Sequence, residues 1–151
     1  MLNSNHTSAL LNIGTEAKKG TDLYRETYAK LAEDTTLNFV GNIEARDVLT
    51  TDVDVIVMDG FTGNIALKTA EGTANFITSE LKKAMTGSII GKISSLLNIS
   101  NLKKFKKRLD PRLYNGAIFI GLDSPVVKSH GGTDYIGFSN SLNVCNRIVN
   151  G

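Results

Sequence analysis

The chain has 151 residues, 41% hydrophobic and 21% charged, with a formal net charge of +2 at pH 7 and one cysteine, Cys145. That balance describes a single folded domain with a core and excludes an intrinsically disordered polymer. A lone cysteine excludes an internal disulfide and fits a reducing cytoplasm, and +2 gives no general attraction to nucleic acid. No apolar run approaches the ~18 residues of a membrane span.

Residues 1–8 read as a polar, disordered leader, because Asn3, Ser4, Asn5, His6, Thr7 and Ser8 make neither a basic stretch nor an apolar one. Ala9-Leu10-Leu11-Asn12-Ile13, closed by Gly14, predicts a buried strand. Gly20 and Thr21-Asp22 open a helix to about Glu33, with Leu23, Thr27, Tyr28 and Leu31 on one face. Residues 37–42 predict a second strand and residues 44–49 a short helical turn. Residues 53–58, β-branched and apolar on both faces, predict a third strand of the kind found under helices in parallel sheets.

The longest helix is expected from about Gly63 to Ala84, with Ile65, Thr69, Thr73, Phe76, Ile77, Leu81 and Ala84 at helical spacing. Residues 117–122 and 126–128 read as two more strands. A last helix, about Asp134 to Val149, carries Phe138, Leu142, Cys145 and Val149 on its apolar face, with the cysteine in the core. Strand and helix alternate. The fold class is therefore α/β, a Rossmann-like layered fold with a mostly parallel sheet.

Asp59-Gly60-Phe61-Thr62-Gly63-Asn64 joins the third strand to the longest helix. A helix start leaves backbone N–H groups unpaired, and the helix dipole favours an anion there. Lys18-Lys19-Gly20 follows the first strand, and ligands of open α/β sheets bind outside the carboxyl ends of strands. A lysine facing a glycine-lined helix start makes a cradle for phosphate or a carbonyl oxyanion. The competing reading is an Asn64 that merely caps the helix beside a solvated lysine pair. Ser129-His130-Gly131-Gly132 ends the last strand and supplies a third loop expected on the same rim, with His130 either near a substrate or simply solvated. No histidine–cysteine cluster suggests a metal, and no Gly-x-Ser-x-Gly elbow a serine nucleophile. Chemistry here rests on positioning and charge.

Segment 86–110 is of another kind. Ile89, Ile90, Ile93, Leu96 and Leu97 make one apolar stripe, and Ile99, Leu102, Phe105 and Leu109 a second. Lys103, Lys104, Lys106, Lys107 and Arg108 crowd the second with almost no acid nearby. Two short amphipathic helices, the second strongly basic, fit a membrane surface or a second copy of the chain; a hairpin packed on its own domain is the alternative.

Several of these residues fall into ordered motifs: Asn12-Ile13-Gly14 with Glu16 and Lys19-Gly20; Gly41-Asn42-Ile43-Glu44-Ala45-Arg46-Asp47; Asp59 to Asn64 with Leu67-Lys68-Thr69 and Glu71-Gly72; and Ser129-His130-Gly131. Together, from about Leu10 onward, they resemble the bacterial phosphate acyltransferase PlsX family. The resemblance implies an enzyme of phospholipid synthesis that moves a fatty acyl group from acyl-carrier protein to inorganic phosphate. It also implies a fold like isopropylmalate dehydrogenases and phosphotransacetylases, a homodimer in the cytoplasm held peripherally on the membrane, and no cofactor or metal. Carried over by position, Lys19 and Asn64 are the catalytic pair. Asp59, Gly60, Gly63, Lys68, His130 and Gly131 bind phosphate or substrate, while Ile89, Ile93, Leu96, Leu97, Lys103 and Lys104 form a protruding, membrane-facing amphipathic helical hairpin.

Two departures bear on this. Thr15 stands where the family usually has an acidic residue, and nothing matches the family's Asp-Ala-x-Gly-Gly-Asp loop. Residues 9–151 thus look like the carboxyl-terminal part of an acyltransferase domain. A non-catalytic remnant that dimerises or binds membrane or carrier protein is the alternative. A coenzyme A-dependent phosphotransacetylase is a third reading, disfavoured by the apolar tip.

Overall fold

The computed structural model describes residues 6–150. The chain divides into two compact units, Met1–Ala70 and Glu71–Gly151.

In the first unit, β1 (Thr7–Asn12) is the middle strand of a three-stranded sheet, flanked by β2 (Asn38–Glu44) and β3 (Val55–Val57), both parallel to it. Helix α1 (Asp22–Glu33) connects the first two strands, and a 3-10 turn (Ala45–Asp47) leads toward the third. β1 begins at Thr7, inside the stretch expected as leader; Met1 to Asn5 lie outside the described residues. The physical reason is Asp54. Its carboxylate accepts from the Thr7 backbone N–H at 2.8 Å and the Thr7 hydroxyl at 2.9 Å, clamping the strand start beside β3.

Alternation along β1 decides both faces of the sheet. Ala9 and Leu11 point to one face, where they form the buried core with Ile43, and partly buried Val48, Val53, Ile56 and Met58 pack against it. Leu10 points to the other, beneath α1, and is 2% exposed. The register shifts between Ser8 and Leu10, opposite Phe39 and Asn42, so β2 carries one extra residue. Gly41 absorbs it with φ +102°, a conformation that favours glycine. On α1 the half-buried face is Tyr24, Thr27, Tyr28 and Leu31, with Tyr28 edge-on to Phe39 at 5.2 Å; Leu23 is exposed.

Helix α2 (Gly60–Thr86) begins in the first unit and ends in the second, and none of its described residues is buried. Of the apolar residues at helical spacing, Phe76 and Ile77 are exposed.

In the second unit, α3 (Ile89–Leu97) and α4 (Ile99–Arg108) stand where two amphipathic helices are expected. Ser88 caps α3 by accepting from the Gly91 N–H at 3.0 Å. A 3-10 turn (Pro111–Tyr114) then leads to β4 (Ala117–Phe119), β5 (Val126–Lys128) and α5 (Tyr135–Asn150). The α/β class holds, with one correction. β4 and β5 pair antiparallel with each other in a sheet of their own, and do not extend the parallel one. Residues 120–125 are too few for a parallel crossover, which takes a dozen or more residues.

α5 is corrected too. Its buried residues are Gly137 and Ser141, while Phe138 and Leu142 are 53% and 56% exposed and Cys145 is half-buried. Asn115 draws that glycine side inward. Its side-chain amide donates to the Gly137 carbonyl (2.9 Å), the Ser129 hydroxyl (2.9 Å) and the Thr133 hydroxyl (3.3 Å).

Candidate functional site

β1 and β3 are adjacent and parallel, so the loops leaving them emerge at the same end of the sheet. Both loops are built around polar side chains that close onto backbone.

The first is organised by Asn12, the only polar residue at the buried end of β1. Its Oδ1 accepts from the Ile13 N–H at 2.8 Å, and its Nδ2 donates to the Lys19 carbonyl at 3.1 Å and Asn42 Oδ1 at 3.3 Å. Asn42 in turn donates to the Glu16 carbonyl at 2.8 Å. The arch between Ile13 and Lys19 is therefore pinned from two strands. Gly20 completes it with φ +86°, and a Cβ there would sit 2.6 Å from Asn12 Oδ1. Lys19 itself is about half exposed, its ammonium 3.6 Å from Glu16 Oε1. Arg25 reaches back from α1 to donate to the Gly20 carbonyl at 2.6 Å and also bonds Asp22.

The second loop is closed by Asp59. Its Oδ1 accepts from the N–H groups of Phe61 (2.9 Å) and Thr62 (3.0 Å), and its backbone carbonyl accepts from Gly63 at 2.9 Å. Asp59 is therefore the N-cap of α2. This corrects two expectations. Donors expected to await an anion are occupied by the chain's own carboxylate, and Asn64 is not the cap but an exposed residue in the helix, one turn before exposed Lys68. Tyr24, from α1, donates its hydroxyl to Asp59 Oδ2 at 2.5 Å. Hydrogen bonds from the Thr62 hydroxyl, the Tyr24 hydroxyl and the Thr62 backbone hold the Asp59 carboxyl well below the usual carboxylate range. Burial, followed by the bond to Asp59, pushes the Tyr24 hydroxyl up.

Two cavities flank Tyr24. A rim cavity of about 520 Å³ is lined by Leu11, Asn12, Ile13, Gly20, Thr21 and Tyr24, with Ala45 and Thr62 completing it. A second, of about 250 Å³, lies below α1, walled by Leu10, Leu23, Val57 and Met58, with Tyr24, Thr27 and Asp59 at its edge. Lys19, on the first loop, and Asn64, in the first turns of α2, are not among the lining residues of either.

His130 belongs to the second unit, after β5. The expectation of three loops on the rim of one sheet is corrected here, because β5 is part of the separate antiparallel pair. Asn115 Oδ1 accepts from the His130 N–H at 2.9 Å, and the Gly132 N–H donates to His130 Nδ1 at 3.2 Å. An accepting Nδ1 leaves Nε2 as the protonated nitrogen of the neutral ring. His130 and Gly131 are exposed. Nearby, Arg112 bonds Asp110 through three contacts of 2.6–3.1 Å and Asp134 at 2.7 Å; Asp134 caps α5 at Ile136 and Gly137. Those bonds lower both carboxyls and raise the guanidinium.

Asn12, Tyr24, Asn115 and Arg112 received no role from the sequence. An asparagine ending an apolar strand was a readable signal, since a buried amide must find partners.

The family described as fatty acid synthesis protein matches residues 2–151. The chain is 75% identical over 145 residues to the phosphate acyltransferase of Pelagibacter ubique, covering 95% of this chain and 44% of that protein. It is 49% identical over 144 residues to the phosphate acyltransferase of Rhodospirillum rubrum (95% and 41%). With that of Fervidobacterium nodosum the identity is 45% over 142 residues (94% and 42%). The chain thus spans well under half the length of these relatives.

Proposed function

Because the chain belongs to the fatty acid synthesis protein family, together with these phosphate acyltransferases, we propose that it forms part of an enzyme moving a fatty acyl group from acyl-carrier protein to inorganic phosphate. The observation that carries this reading is the 75% identity to the Pelagibacter ubique relative over 95% of the chain. The cavity at the carboxyl end of β1 supports it, since it sits where α/β sheets bind ligands.

In the proposed reaction a hydrogen phosphate oxygen attacks the thioester carbonyl carbon. The C–O bond forms, the tetrahedral oxyanion collapses and the C–S bond breaks. The proton of hydrogen phosphate ends on the carrier-protein thiol, leaving acyl-phosphate for phospholipid synthesis. Lys19 stabilises the developing oxyanion by charge, and Asn64 orients phosphate or the carbonyl. Gly60, Gly63 and Lys68 contribute to holding phosphate. The role of Asp59 is to set the start of α2, because its oxygens are committed to Tyr24, Phe61 and Thr62.

The enzyme works as a homodimer in the cytoplasm, resting on the membrane through α3 and α4. Support for the membrane contact is the uncovered apolar stripe of α3, where Ile89 and Leu97 are 78% and 82% exposed, beside the exposed Lys103 and Lys104. No helix among the described residues is long and apolar enough to cross a membrane.

The test is a chimera joining this chain to the preceding part of the Pelagibacter ubique relative, assayed for acyl-phosphate from acyl-carrier protein and phosphate. Lys19→Ala and Asn64→Ala are each expected to lower kcat/KM at least 100-fold. A chimera without activity on any acyl chain would overturn the reaction; a double variant with an undiminished rate would overturn the two roles.

A further inference from the structure

We propose that the 250 Å³ cavity beneath α1 is a binding site for an alkyl tail, with Tyr24 as the wall between it and the rim cavity. Under the acyltransferase reading, on which the identity of the ligand rests, the tail is that of the acyl donor.

The chemistry of the lining points to an apolar guest. Leu10, Leu23, Val57 and Met58 supply hydrocarbon and thioether surface. The polar groups at the edge are committed elsewhere. Tyr24 donates to Asp59 at 2.5 Å, and Thr27 donates to the Leu23 carbonyl at 2.7 Å. Asp59 is further bound by two α2 amides. A phosphate would find no free side-chain donor there and would lose its hydration, whereas a hydrocarbon loses nothing.

The setting points to an amphiphile. Tyr24 borders both this cavity and the rim cavity, which carries Asn12, Thr21 and Thr62. One polar and one apolar compartment on either side of a single ring suit a molecule with a polar head and an alkyl tail. At about 30 Å³ per water-sized unit, 250 Å³ holds roughly eight groups near methylene size. Each methylene taken from water raises affinity about fourfold. Chain length is therefore read by how far the tail fills the space between Leu10 and Met58.

Thr27 is the residue through which this is tested, because it edges the cavity from the middle of α1. Decanoate is titrated into the chain while the methyl resonances of Leu10, Leu23, Val57 and Met58 are followed by NMR, with inorganic phosphate as control. Decanoate, and not phosphate, is expected to shift these methyls. Thr27→Leu, which fills the space, should weaken the effect at least tenfold, and Thr27→Ser, which enlarges it and keeps the hydroxyl bond, should not. Silent methyls, shifts confined to residues 89–97, or equal weakening by both variants would overturn the tail site.

In the chimera, Thr27→Leu should lower the ratio of kcat/KM for an eight-carbon over a four-carbon acyl donor about tenfold, because only the longer tail fills the space that the leucine takes. Shifted methyls with no acyl-phosphate formed from any donor would sink the acyltransferase reading and leave the tail site standing. An active chimera with an unchanged ratio and silent methyls would do the reverse.

Discussion

Tyr24 and Asp59, thirty-five residues apart, meet hydroxyl to carboxylate at 2.5 Å and so tie α1 to the first turn of α2. Asp59, lowered first by the Thr62 hydroxyl and then by Tyr24, and Tyr24, raised first by burial and then by Asp59, have consequences of opposite sign in pH. Asp59 is depressed in the folded state, so its contribution is present above the unfolded carboxyl pKa and is lost as pH falls through the folded value. Tyr24 is raised, so its contribution is complete below the unfolded phenol pKa and is lost as pH rises through the folded value. Tyr24→Phe should therefore move the Asp59 titration upward while leaving it below an ordinary carboxyl, because the Thr62 and Phe61 bonds remain. Carbon-13 NMR of the Asp59 carboxyl checks this; an unmoved titration would show the hydroxyl contributes nothing.

Asp54 carries the same sign at the other end of β1. Bonds from the Thr7 backbone and hydroxyl lower its pKa. Acid unfolding of Thr7→Val, which keeps the backbone donor and removes the hydroxyl, is expected at higher pH than for the parent chain. An identical acid midpoint by circular dichroism would discount the clamp.

Asn12→Leu removes three hydrogen bonds and strands the Ile13 N–H and the Lys19 carbonyl. A loss of about 2–3 kcal/mol in urea unfolding is expected, from groups left unpaired at the buried end of β1. Hydrogen exchange at Ile13 should accelerate in parallel. A variant as stable as the parent would mean that water replaces the amide at no cost.

Two glycines separate backbone conformation from location. Gly20 has φ +86° and no room for a Cβ beside Asn12, whereas Gly60 has nothing within 4 Å of that position. Gly20→Ala is expected to destabilise by more than about 1 kcal/mol, and Gly60→Ala, at a helix start, to be neutral or mildly stabilising. Equal effects would refute the assignment of strain to Gly20.

On vesicles with anionic lipid, flotation of the chain should fall when Ile93 and Leu97 are changed to Glu. It should also fall when salt is raised, because basic residues near a leaflet add about 1 kcal/mol each and are screened within about 8 Å at physiological ionic strength. Flotation indifferent to both would remove the membrane contact.

Much of the element order was legible because period and punctuation are local. Gly14, Thr21-Asp22 and the β-branched run ending at Val57 announce β1, α1 and β3, and β5 falls on the residues expected. The Asp59–Asn64 turn was found, but its occupant was not. An Asp before a helix is a cap signal as much as an anion-site signal, and the Phe61 and Thr62 amides bind the nearer carboxylate. On α5, spacing put Phe138 and Leu142 on one face correctly, but could not say that the Gly137 and Ser141 side is the one drawn to Asn115.

By itself, then, the amino-acid order determined the class of fold, the succession of strands and helices, and the family motifs around Lys19, Asn64 and His130, since each depends on neighbours within a few residues. Only the tertiary structure decided that β4 and β5 stand apart as an antiparallel pair, that Asn12 ties Lys19 to Asn42, and that Tyr24 closes on Asp59 between two cavities. The bonds of Asn12 to Asn42 and of Tyr24 to Asp59 join residues 30 and 35 apart. Strand register and helix placement set them, and no local spacing encodes either.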